Sequence, residues 1–110
     1  GGPTGPSETI DYDWSTADVF YVYDPQYKWT ANITNLPVTG NKTYGVVFII
    51  EQGASGNFID ALQIGGTGKT ILWSGATPPT ATAYRTEVES FTLYYSGSAW
   101  TVMGQYSSFA

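Results

Sequence analysis

Apolar and polar residues alternate with a period of two along most of this chain, and that alternation predicts strands. Ile10, Tyr12 and Trp14 alternate with Asp11 and Asp13, which predicts a half-buried strand with a carboxylate face. Asp18 to Tyr23 follows as a second strand, ended by Asp24-Pro25. Trp29, Ala31 and Ile33 alternate with Thr30, Asn32 and Thr34, so one face packs and the other is solvated. Leu36-Pro37 through Gly40-Asn41 is a turn. Tyr44 to Glu51 is an almost unbroken apolar run rich in β-branched residues, as expected of a central strand covered on both faces.

The second half carries shorter pieces. Gln52 to Asn57 reads as a loop, and Phe58 to Ile64 as a strand in preference to a short helical turn. Gly65 to Gly68 turns the chain into Thr70–Trp73, and the Pro78-Pro79 pair keeps Ser74 to Ala83 out of any sheet interior. Phe91, Leu93 and Tyr95 share a face with Glu87 and Glu89, and Ser96-Gly97-Ser98 leads into a last strand from Trp100 to Tyr106. About seven to nine short strands with frequent turns predict an all-β fold, an antiparallel β-sandwich of jelly-roll type. This single domain spans residues 9–110. Residues 1–8, with the triplets Gly2-Pro3-Thr4 and Gly5-Pro6-Ser7, read as a Gly/Pro-rich linker or the end of a collagen-like stalk.

Composition narrows the function. The chain has 110 residues, one domain's worth, and its aromatic fraction of 16% exceeds its charged fraction of 12%. Each aromatic buries roughly 150–250 Å², more than a small core accommodates for four Trp, nine Tyr and five Phe. Some of them are therefore expected at an interface. Net charge is −5, and the cations Lys28, Lys42, Lys69 and Arg85 form no basic stripe, which argues against nucleic acid and against anionic membrane. No apolar run approaches the ~20 residues of a membrane helix, so no membrane insertion is expected. With no Cys and no His, thiolate and imidazole chemistry are absent.

Few constellations suggest chemistry. Gly66-Thr67-Gly68-Lys69-Thr70 resembles part of a phosphate loop, but Gln63 stands where the first glycine is needed and a strand follows, so it reads as a turn. Glu87 and Glu89 share a strand face at a spacing of roughly 7 Å by strand rise. That spacing lies in the range of glycosidase pairs, yet with Arg85 nearby they read as a solvated face. Asp11, Asp13, Asp18 and Asp24 offer oxygen ligands for Ca²⁺ without EF-hand spacing. Asn32-Ile33-Thr34 and Asn41-Lys42-Thr43 match the glycosylation acceptor pattern. No catalytic, cofactor-binding or metal-binding residue is assigned, and no cofactor is expected. The aromatics remain. Phe20, Trp29, Phe48, Phe91 and Trp100 are core candidates, whereas Trp73, Tyr84, Tyr94 and Tyr106 are the candidates for an interface or a ligand surface.

Several pieces together carry a family likeness. These are Ala61-Leu62-Gln63-Ile64-Gly65-Gly66, Thr70-Ile71-Leu72-Trp73-Ser74-Gly75 with Pro78-Pro79, and Ser90-Phe91-Thr92-Leu93 leading to Trp100-Thr101-Val102-Met103-Gly104-Gln105. In order and spacing they resemble a C-terminal β-domain of marine phage virion proteins, the tail-fibre and other structural proteins of cyanophages and their relatives. The likeness runs from about Val19 to Gln105. It implies a non-enzymatic module on a virion surface, outside the cell, on a fibre or as a capsid decoration. Such a module would be a homotrimer in contact with other virion proteins, with host attachment through a surface glycan as a further role. The alternatives are a carbohydrate-binding β-sandwich and a subunit of a self-assembling extracellular filament.

Overall fold

Where side chains alternate between core and solvent the backbone is extended, and a computed structural model describing all 110 residues contains nine strands. They are β1 (Thr9–Asp13), β2 (Val19–Tyr23), β3 (Trp29–Thr34), β4 (Lys42–Glu51), β5 (Ile59–Ile64), β6 (Thr67–Lys69), β7 (Ile71–Trp73), β8 (Thr86–Tyr95) and β9 (Trp100–Phe109). The only helical element is a 3₁₀ turn at Ser74–Ala76. Gly65-Gly66, with φ of 57° and 84°, joins β5 to β6 as a two-residue hairpin in which both residues need positive φ. The sequence Gly66 to Lys69 is thus the return arm of a hairpin, and β6 is the strand that the sequence did not announce.

The strands form two packed sheets: β1-β3-β5-β6, and β2-β4-β8-β9-β7. The all-β expectation agrees, whereas the antiparallel jelly-roll needs correction. Both sheets are mixed, with parallel pairing of β1 with β3, β3 with β5, β2 with β4, and β7 with β9. The first five strands alternate between the sheets, the winding of a flattened solenoid, and only β4-β8-β9 and β5-β6 run antiparallel. The reason is general: a period of two reports which face is buried, and a turn reports where the chain reverses. Neither says beside which strand the chain returns.

Between the sheets lies a core built on Trp29, Ala31, Ile33, Ile59 and Leu62 from one side and Val22, Val46, Phe48, Ile50, Phe91, Leu93 and Val102 from the other. Tyr12 packs edge-on against Phe48 at 4.8 Å and Phe20 at 5.1 Å between ring centroids. Its hydroxyl accepts from Trp29 Nε1 at 3.0 Å and donates to the Gly1 carbonyl at 2.9 Å. Burial pushes the Tyr12 pKa up to about 12, so the phenol stays a donor. The Gly/Pro-rich segment therefore lies against the sandwich. Pro3 is buried, and the Glu8 carbonyl accepts from Thr30 N at 2.9 Å, continuing the β1–β3 ladder.

Candidate functional site

Two carboxylates stand where a solvated face was expected. Glu87 and Glu89 are fully buried, on the same face of β8 as Phe91 and Leu93. The alternation placed all four side chains on one face correctly, but that face points inward. Glu87 is held by three donors converging on Oε1: the Tyr106 hydroxyl at 2.6 Å, the Thr82 amide at 3.0 Å and Gln52 Nε2 at 3.2 Å. Glu89 crosses to the other sheet, where its Oε1 accepts from the Ile59 amide at the start of β5 at 2.8 Å. The Oε2 atom of each has no partner. Desolvation drives the Glu89 pKa well above the carboxylate range, and the Asp60 and Glu87 charges add to it against the opposing Ile59 hydrogen bond. Desolvation also raises the Tyr106 pKa, followed by its hydrogen bond to Glu87.

No surface groove is lined by either carboxylate. Buried and hydrogen-bonded to side chains and backbone of neighbouring segments, this pair braces the interior. The Gln52 side chain, anchored by Glu87 and Tyr106, grips both the backbone N–H and the carbonyl of Asn57, which fixes the 52–57 loop.

The outward faces of the two sheets differ in character. On β1-β3-β5 the outward positions include Thr9, Asp11, Asp13, Thr30, Asn32, Thr34 and Gln63, a polar surface tied by Asn32 Nδ2 donating to Asp11 Oδ1 at 2.9 Å. On the five-stranded sheet, register places Val19 beside Val47, and Tyr21 beside Ile49, which lies beside Val88. Val19 is 51% and Tyr21 56% exposed, with Val47, Ile49 and Val88 half-buried. A second apolar pair, Leu72 beside Met103, lies across the sheet. Glu51 is the one charged side chain among the outward positions, and it accepts a hydrogen bond from Tyr21. The expectation that β4 is covered on both faces is therefore met on one face only. Val46, Phe48 and Ile50 are sealed in the core, while Val47 and Ile49 have no covering layer within the chain.

The four aromatics singled out from sequence do not meet in one place. Trp73 and Tyr106 lie together around a groove of about 150 Å³ with Ser74, Thr77 and Pro79. Both point toward the interior: Trp73 packs on Phe91 at 5.9 Å, and Tyr106 is committed to Glu87. Tyr84 is 79% exposed on the turn before β8, and Tyr94 lies outward on β8 with its hydroxyl donating to Asn41 Oδ1 at 3.1 Å. The apolar outer face itself was not foreseen as a site. Its signal was the run Val46 to Ile50, apolar at both parities.

The remaining candidates disperse. Asp13 Oδ1 accepts from Ser15 and Asn35, bonds that lower its pKa. No group of three or more acidic side chains converges as a metal site. Of the acceptor asparagines, Asn32 is buried, with its amide tied to Asp11 and Gly66, whereas Asn41 is exposed. No family model, curated protein or solved structure matches this chain.

Proposed function

We propose that this chain is a non-enzymatic structural module of a phage virion, a fibre or capsid-appendage domain at the virion surface that holds three copies together and displays them. The observation that carries the reading is the uncovered apolar face of the five-stranded sheet. Contiguous apolar surface rimmed by polar residues marks a site of association. Three copies with this face turned toward a threefold axis would bury Val19, Tyr21, Val47, Ile49 and Val88 in a shared core, completing the second cover that the β4 sequence calls for. The likeness of the second half to marine phage virion proteins supplies the setting and the copy number. Host attachment fits the same placement, since a domain at the tip of an appendage meets the cell first.

Sedimentation equilibrium at micromolar concentration tests this directly. The expected result is a trimer, converted to monomer by Ile49→Lys with an unchanged far-ultraviolet circular dichroism spectrum. A monomeric parent chain would sink the assembly reading, and a dimer would sink the threefold arrangement.

A further inference from the structure

The pairing of β3 with β5 contains an irregularity with a chemical consequence. Trp29 pairs with Ile59 and Thr30 with Ala61, so Asp60 is an extra residue with no partner. Bulges occur mainly in antiparallel pairs, are rare in parallel ones, and re-aim a side chain. The exposed Asp60 lines a groove of about 570 Å³ on the polar side of the molecule. Ser7, Tyr27, Lys28, Thr30 and Asn57 line it too. We propose that this groove binds a neutral saccharide, one pyranose ring with its hydroxyls directed at Asp60 and Asn57 and its C–H face laid on Tyr27.

The groups fit that chemistry. Tyr27 is 40% exposed and lines the groove, and its ring is amphipathic, suited to the apolar side of a sugar. The side-chain oxygens of Ser7, Tyr27, Thr30 and Asp60 are not engaged in hydrogen bonds within the chain, so donors and acceptors stand free in one concavity of ligand size. Asn57 is preorganised. Gln52 clamps its backbone, and its Nδ2 donates to the Pro25 carbonyl at 2.9 Å, leaving Oδ1 available as an acceptor. The bracing of Gln52 by Glu87 and Tyr106 thus reaches from the interior to the groove wall. One carboxylate, Asp60, and one ammonium, Lys28, are among the lining side chains, so their charges balance, and Lys28 Nζ lies 5.0 Å from the centre of the Phe58 ring. Such a site favours a polyhydroxyl ligand over an anion or a cation. The groove opens on the four-stranded sheet, away from the apolar outer face, so its occupancy does not depend on association.

The test is a ¹⁵N-correlation NMR titration of the full chain with the methyl glycosides of glucose, galactose, mannose and N-acetylglucosamine, and with inorganic phosphate as a control. At least one sugar should shift the amides of Tyr27, Thr30, Asn57 and Asp60, saturating in the millimolar range. Asp60→Asn and Tyr27→Ala should each weaken binding tenfold or more at an unchanged melting temperature, with Tyr84→Ala binding like the parent. The proposal is overturned if no sugar shifts the groove, if the shifts cluster around Trp73 and Tyr106 instead, if phosphate alone binds, or if both variants bind as the parent does. Sedimentation of the same samples separates this outcome from the assembly question.

Discussion

Glu89 is sealed between two sheets with a single donor, the Ile59 amide, and that isolation makes its charge state a stability variable. Its folded pKa is raised from the ordinary 4.5, so the native state holds a proton that the unfolded chain releases. By linkage, the contribution is fully present below the unfolded value and is lost as pH rises toward the folded one. Within that window one proton is worth about 1.4 kcal/mol per pH unit. Melting temperature should therefore fall as pH rises above the unfolded-state value of Glu89 toward its raised folded-state value. Glu89→Gln, which keeps the oxygen that accepts from Ile59, should flatten that fall and melt above the parent at the alkaline end. Scanning calorimetry of both proteins across the range checks this; parallel curves would mean that another group sets the slope. Half of this was legible in the sequence. The parity of Glu87 and Glu89 with Phe91 and Leu93 was plain, but a carboxylate normally signals water, and only the remote Gln52 and Tyr106, together with Thr82 just ahead of β8, make an inward face tolerable for Glu87.

At the scale of elements, strands were legible and their partners were not. The alternations at Ile10–Trp14 and Trp29–Thr34 became β1 and β3, and the glycine and serine turns became hairpins, because side-chain period and turn residues are local properties. The parallel pairs were hidden, since they depend on loops that carry the chain from one sheet to the other. The short edge strand β7 shows how such a partner is held. It lies parallel to β9, and its Trp73 and Ile71 side chains can pack over that strand because Gly104 has no side chain: a Cβ there would come within 2.7 Å of the Trp73 ring and 3.0 Å of Ile71 Cγ2. Gly104→Val should push Trp73 off Phe91 and loosen β7, at a cost of about 1–3 kcal/mol for overpacking. Urea unfolding followed by tryptophan fluorescence should show a lower midpoint and a red-shifted native spectrum. A change below about 0.5 kcal/mol would mean that the edge adapts freely.

At the scale of the whole molecule the two outer faces divide the labour: the four-stranded sheet meets water with Thr, Asn, Asp and Gln, and the five-stranded sheet presents Val, Ile and Tyr along β2, β4 and the start of β8, bordered by Ser90, Thr92, Gln105 and Ser107. Sequence recorded the difference as alternation in β3 against continuity in β4, but continuity cannot say whether the second cover comes from the same chain or from another copy. Thermodynamics can. If the second cover is another copy, association stabilises only the folded chain, and apparent stability must rise with protein concentration by mass action. Each tenfold increase is then worth at most about 1.4 kcal/mol per binding event. For a domain of this size that is a rise of several degrees in melting temperature. Ile49→Lys places a charge in the middle of the outward row Tyr21-Ile49-Val88, where it remains solvated in the monomer and would be desolvated in the assembly. Its melting temperature should be independent of concentration and should meet the parent's at high dilution, since the position contributes little to the monomer core. A parent chain with no concentration dependence, or a variant that melts well below the parent even at high dilution, would place the role of Ile49 inside the fold and remove the outer face as the site of assembly.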